Sequence, residues 1–189
     1  VLSERAKAGR DYDYRYVWIR DQCYAGLAVS VKEPLPPIDD AVAFVGARLL
    51  GDGADLRPTY TVDGTAVPAE RSLDLPGYPG GNDIVGNRAG SQFQLDALGE
   101  ALQLLAAAAR HDHLDSDGHR AMRTAAQAVA ERWRAPDAGI WQLDQRRWTQ
   151  SRLACVGGLH AAARYGSAAR RKRCASTIIA VCNDCGCVA

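Results

Sequence analysis

The sequence carries almost no surplus of either charge: 23 Lys and Arg stand against 22 Asp and Glu, for a formal net charge of +1. One stretch alone concentrates a sign, Arg170, Arg171, Lys172 and Arg173. Nucleic-acid and membrane-surface partners need a broad basic face, so neither is expected. Long apolar runs are also missing, and none approaches the roughly 18 residues that cross a bilayer. Methionine is nearly absent. The chain opens at Val1 and has its one methionine at Met122, which leads us to expect a processed chain or a fragment. The lack of a signal peptide then carries little weight, and a cytoplasmic location is the working expectation. Evenly spaced cysteines are lacking as well. Cys23 and Cys155 stand alone, while Cys174, Cys182, Cys185 and Cys187 crowd the last sixteen residues. Disulfide frameworks belong mainly to small secreted domains, so reduced thiols are expected. His111, His113, His119 and His160 fall at no metal-ligand spacing, and no internal repeat is detectable.

What is present is a globular composition, 47% hydrophobic and 24% charged over 189 residues, which is one domain by length. Residues 20–32 read as a helix stopped by Pro34, Pro36 and Pro37. A second helix, 39–50, puts Val42, Val45 and Leu49 on one face and ends before Gly51. Residues 51–90, with eight Gly and four Pro, are irregular; within them, 60–67 alternates around Asp63-Gly64, a hairpin signal. From 91 to 110, Leu95, Leu98, Leu102, Leu105 and Ala109 recur at helical spacing. Asp117 or Ser116 can cap the next helix, whose buried stripe is Met122, Ala125, Val129 and Trp133 and which ends at Asp137-Ala138-Gly139. A helix from Ser151 carries Leu153, Val156, Leu159 and Ala163, and a weaker one follows from Ser167. Helices of unequal connection suggest antiparallel pairs rather than a coiled coil.

Three features point toward chemistry. A connection of about forty residues is uncommon in a helical domain and is usually functional or disordered; Leu73, Leu75, Pro76, Tyr78 and Ile84 argue that this one packs over a cleft. Residues 11–21 crowd Tyr12, Tyr14, Tyr16 and Trp18 with three aspartates and two arginines. Asp21 and Arg20 read equally as first-turn helix residues, yet the mixture suits a sugar. Aromatic rings cover its apolar faces, and Asp and Arg hydrogen-bond its hydroxyls. Lastly, Trp141 and Trp148 lie on a short segment between helices, either as core plugs or as walls of a site.

Taken in order, Asp-Tyr-Arg-Tyr-Val-Trp-Ile-Arg-Asp at 13–21, Leu-Asp-Leu-Pro-Gly-Tyr at 73–78, Gly86-Asn87 through Gln92, Gln94-Leu95-Asp96, Gly99-Glu100 and Pro-Asp-Ala-Gly-Ile-Trp at 136–141 resemble glycoside hydrolase family 15, the glucoamylases and bacterial trehalases. The resemblance spans about residues 3–165. It implies an all-α fold, the first half of an (α/α)6 toroid, with a long Gly/Pro-rich loop carrying a small β-hairpin and a site in the bowl at one end. It also implies a partial catalytic domain at 1–166 followed by an atypical Cys-rich tail at 167–189. The implied activity is inverting hydrolysis of an α-glucoside or oligosaccharide without a cofactor or metal, an acid protonating the leaving oxygen and a base activating water. By the same resemblance, Trp18, Arg20, Asp21 and Trp141 hold the sugar, and Tyr14 stands close to the developing oxocarbenium ion. Position 142 is where the family keeps its general-acid Glu.

Here that position is Gln142, which has no acidic proton to give. Gln150 stands where relatives commonly have His, and Arg88 where close bacterial relatives often have an aromatic. The family's base lies in the second half of the toroid. The chain as given is therefore expected to be inactive, and the alternative is a non-catalytic α-glucan- or trehalose-binding remnant. A weaker third reading places zinc on Cys174, Cys182, Cys185 and Cys187, but only one Cys-x-x-Cys pair is present, so no metal site is expected.

Overall fold

A computed structural model describes residues 12–75, 83–142, 144–165 and 168–185. Among the described residues are six helices: α1 (Ile19–Ala28), α2 (Pro37–Asp52), α3 (Leu95–Arg110), α4 (Ser116–Arg132), α5 (Thr149–Ala163) and α6 (Ala168–Cys185). Two antiparallel strand pairs accompany them. β1 (Val17–Trp18) lies on β2 (Thr59–Tyr60), and β3 (Arg71–Ser72) on β4 (Ile84–Val85).

Consecutive helices form antiparallel pairs, α1 with α2, α3 with α4 and α5 with α6. Across the pairs, α1 packs on α3 and α3 on α5, while α2 packs on α4. Odd helices thus make one layer and even helices a second, as in the toroid fragment expected from sequence. At the centre α3 is buried nearly all round, from Leu95 through Leu102 without a break. A helix with no polar face must be enclosed by others.

The helix ends follow local chemistry. Pro37 opens α2, where its missing N–H costs nothing, and Asp39 and Asp40 sit favourably in the first turn. The helix runs through Gly51 and stops at Gly53, whose φ of +57° is the left-handed geometry that favours glycine. α1 ends at Ala28, four residues short of the expected boundary. The Ser30 hydroxyl donates to the Leu27 carbonyl, and Arg110 donates to the Ser30 carbonyl at 2.9 Å. The cap of α4 is neither Asp117 nor Ser116 but Asp115, which accepts from the Gly118 N–H at 2.7 Å. That helix ends at Arg132, one turn before Asp137-Ala138-Gly139.

On α5 the buried face is Ser151, Arg152, Cys155, Gly158, Leu159 and Ala162, whereas Leu153 is largely exposed. The reason is how closely α3 and α5 approach. A Cβ on Gly99 would collide with the Ala154 carbonyl, and one on Gly158 with the Gly99 carbonyl. Where the backbones touch, at Gly99 and Gly158, there is no room for a side chain, so small residues share the buried face with Leu159. Gly99→Ala is expected to force these helices apart and cost about 1–3 kcal/mol of unfolding free energy, read by urea denaturation.

In the long loop, Leu56, Tyr60 and Val67 are buried. The turn at Asp63-Gly64 forms with φ of +81° at Gly64 and a bridge between Tyr60 and Ala66. Leu73 and Leu75 do not pack as expected but are exposed; Pro76 and Tyr78 lie outside the described residues. On α6, Cys174, Val181 and Cys182 are buried.

Candidate active site

The odd helices begin at the same end. From the first turn of α1, the Arg20 guanidinium donates to Gln94 Oε1 at 2.6 Å and to Asp96 Oδ2 at 3.0 Å, at the start of α3. Midway along α5, the Cys155 thiol donates to the Leu95 carbonyl at 3.5 Å. The N-termini of α1 and α3 thus meet at Arg20, with the positive ends of their dipoles at the same place.

Asp96 and Glu100, one turn apart on α3, share Arg20: Glu100 Oε2 lies 3.7 Å from Arg20 Nε. The Tyr24 hydroxyl donates to Glu100 Oε1 at 3.0 Å. Both carboxyls are fully enclosed, and among the described residues Asp96 Oδ1 and Glu100 Oε2 have no hydrogen-bond partner. Burial pushes the Glu100 carboxyl up to about 7, the neighbouring Asp96 adds to the rise, and Arg20 and the Tyr24 hydroxyl only partly oppose it. Asp96 is raised by the same burial against the pull of Arg20. Burial and the Asp96 charge likewise raise the Cys155 thiol, which keeps it protonated and inert.

The aromatic segment before α1 divides into two roles. Asp13 is buried and holds the backbone: it receives two hydrogen bonds from the Arg15 guanidinium, one from the Arg15 N–H, one from the Tyr16 hydroxyl and one from the Gly86 N–H at 3.1 Å. Its carbonyl accepts from Asn87 Nδ2. Arg15 and these donors hold its carboxyl well below the usual carboxylate range. Tyr14 is 60% exposed, with its ring 6.5 Å from that of Trp18. Trp18 is half-buried where β1 meets β2, and Asp21 is exposed on the first turn of α1, close enough to act on Glu100 through its charge.

Residues 133–148 cover the same end. Buried Asp137 accepts from Arg152 Nη1 at 2.5 Å, from the Ser151 hydroxyl at 2.7 Å and from the Gly139 N–H at 2.9 Å. The Ala138 N–H donates to the Phe93 carbonyl at 2.9 Å, which seats the segment beside Gln94 and hence beside Arg20. Gly139, at φ +64°, lies so close to Trp148 that a Cβ would sit 2.8 Å from its ring. Trp148 is therefore a packing residue. The next turn leaves Trp141 77% exposed and Gln142 in the left-handed region at φ +55°, its N–H on the Gly139 carbonyl. The link between this segment and Arg20 runs through Phe93 and Gln94.

From sequence alone Asp96, Glu100 and Arg152 have no role, and Asp137 marks only the end of a helix. The available signal was acidic residues at a spacing of four inside a Leu- and Ala-rich helix, where a solvated side chain has no place. Among the described residues, no group of three or more His, Cys, Asp or Glu is arranged to hold a metal ion. The Cys185 side chain and Cys187, half of the zinc set considered above, lie outside the described residues. Within the same limits, no helix is long and apolar enough to cross a membrane.

Known proteins are similar to this chain in sequence. The profile of the Glycosyl hydrolases family 15 matches residues 2–188. Trehalase 2 of Sulfolobus acidocaldarius is 32% identical over 153 residues, covering 76% of this chain and 26% of its own length. Trehalase of Thermoplasma acidophilum is 29% identical over 148 residues, 75% of this chain and 24% of its own. Trehalase of Mycobacterium tuberculosis is 27% identical over 164 residues, 82% of this chain and 24% of its own. The chain therefore spans about a quarter of the length of these curated relatives. No solved structure matches it. Paired helices in two layers fit such a fold, and the profile match, reaching almost from end to end, places this chain in glycoside hydrolase family 15.

Proposed function

We propose that this chain is part of an α-glucoside hydrolase and carries the glucose-holding side of its site, with trehalose as the first substrate to test. The observation that carries the reading is Arg20, held by buried Gln94 and Asp96 while its own side chain remains 12% exposed, two residues along the chain from Trp18, whose ring lies 6.5 Å from that of Tyr14. A guanidinium already oriented by buried partners loses little freedom on meeting a hydroxyl, and the rings supply apolar faces for the sugar. In this reading Trp18, Arg20, Asp21 and Trp141 bind the sugar and Tyr14 faces the reacting carbon. Gln142 occupies the acid's place. The names of the relatives favour trehalose over a starch-type oligosaccharide.

Inverting hydrolysis needs an acid on one side of the bond and a base with its water on the other. Gln142 can accept or donate a hydrogen bond at the glycosidic oxygen but supplies no acidic proton. The chain as given binds without cleaving. That same residue favours the second reading, a sugar-binding protein that has lost its chemistry.

Calorimetric titration of the 189-residue chain with trehalose and maltose tests the proposal. Trehalose is expected to bind. Asp21→Ala, at an exposed position, is expected to weaken it by roughly tenfold or more through loss of a charged hydrogen bond. Neither sugar binding, or Asp21→Ala binding as the parent does, would remove the sugar-site assignment.

A further inference from the structure

Two buried carboxyls face one guanidinium, and each keeps an oxygen without a hydrogen bond among the described residues. With both carboxyls ionised the group holds a net negative charge cut off from water. One shared proton removes that charge and leaves a neutral set. Among the described residues, the surroundings supply nothing else to cancel it. α1 contributes Arg20, Asp21, Cys23 and the Tyr24 hydroxyl; residues 133–148 contribute Asp137, which faces Asp96 as another negative group. α5 adds Cys155 and Arg152, and Arg152 is already bound to Asp137. The core faces of α2 and α4 against α3 are apolar, with Ile38, Val42, Val45, Met122 and Val129.

We infer that Asp96 and Glu100 keep one proton between them at neutral pH and act as positioning residues, holding Arg20 toward the sugar so that binding depends on that proton. This rests on the sugar-site reading above. When the proton leaves to solvent, Glu100 becomes a full charge 3.7 Å from Arg20 Nε and competes for the guanidinium. It also adds a negative charge near exposed Asp21. Arg20 is then drawn inward along α3, and the sugar's hydroxyls lose their donor. Glu100→Gln keeps the size of the side chain and an acceptor for Tyr24 but can never become the competing charge.

The fold prefers the protonated Glu100 carboxyl, at about 7 against an ordinary 4.5. Between those values the folded chain retains a proton that the unfolded chain releases, so stability falls as pH rises through this window and levels off above it. The urea midpoint of the parent chain is expected to decline from pH 5 to 8, and that of Glu100→Gln to decline less. Carbon NMR of glutamate-labelled chain is expected to show one carboxyl titrating near neutrality, absent in Glu100→Gln. Trehalose affinity of the parent is expected to fall with the same midpoint, about tenfold if sugar shifts the titration by about one unit, and to stay level in the variant. No carboxyl titrating between pH 6 and 8, or identical stability profiles for the two proteins, would overturn the shared proton. A carboxyl that titrates there, with trehalose affinity following the same pH course in both proteins, would overturn the link to Arg20. If trehalose binds at no pH while the carboxyl still titrates, the shared proton stands and the sugar reading fails instead.

Discussion

Gln142→Glu, placed in a chimera that joins residues 1–165 to the remaining sequence of an active trehalase of the family, is expected to hydrolyse trehalose about 10²- to 10⁴-fold faster than the same chimera with Gln142. That range is what a positioned proton donor contributes, about 3–5 kcal/mol of barrier. The backbone around position 142 is already set. Gly139 and Gln142 both adopt positive φ, and the Gln142 N–H closes the turn on the Gly139 carbonyl. Asp137 holds the start of that turn through the Gly139 N–H. Exchanging an amide for a carboxyl changes neither size nor backbone preference to any extent, so sugar binding is expected to be similar in the two chimeras. In the 189-residue chain alone the same exchange is expected to produce no hydrolysis, because a base must still activate water. Initial rates with trehalose, measured beside binding affinity, separate chemistry from folding. Equal rates in two folded chimeras would show that the acid is not at position 142.

The second large effect is structural. Asp137→Ala is expected to destabilise the chain by about 3–5 kcal/mol, measured by urea unfolding at pH 7, because it leaves Arg152 charged and enclosed. The Arg152 side chain is 1% exposed and that of Asp137 is 0% exposed, so water cannot replace the lost partner. The same substitution removes the acceptor of the Ser151 hydroxyl and of the Gly139 N–H. The turn bearing Trp141 and Gln142 should loosen together with the start of α5. Asp137→Asn, which keeps an acceptor oxygen without the charge, is expected to recover part of the stability. A loss well below 1 kcal/mol for Asp137→Ala would mean that Arg152 finds another partner or escapes to solvent.

These two residues illustrate what was legible before the structure. Gln142 stood out because a family pattern surrounded it and an amide cannot do acid chemistry. Asp137 was visible only as one letter of that pattern. Its role depends on Arg152, fifteen residues away, and on burial that no single residue announces. The helices of strong period, α3 above all, were read correctly, since leucines at three- and four-residue spacing leave few alternatives. α5 was legible in part: Leu159 is buried as its spacing implies, but Gly158, Cys155 and Ala162 share that face where the α3 and α5 backbones touch, and Leu153, which the same periodicity selects, is exposed. The cap of α4 was missed by one residue among neighbouring polar candidates, where only the geometry of the Gly118 N–H distinguishes Asp115 from Ser116.

By itself the sequence determined the helical class, the family pattern, and the chemistry unavailable at position 142. These are properties of residue types and their spacing along the chain. Only the tertiary structure decided that Arg20 is held by Asp96 and Gln94, seventy-odd residues away, and that Asp13 is a structural anchor rather than a sugar ligand. It alone brought Asp96 and Glu100 together with Arg20 and away from water. The physical reason is burial: a carboxylate exposed to solvent is an ordinary ion, whereas enclosed beside a second carboxylate and one guanidinium it takes up a proton.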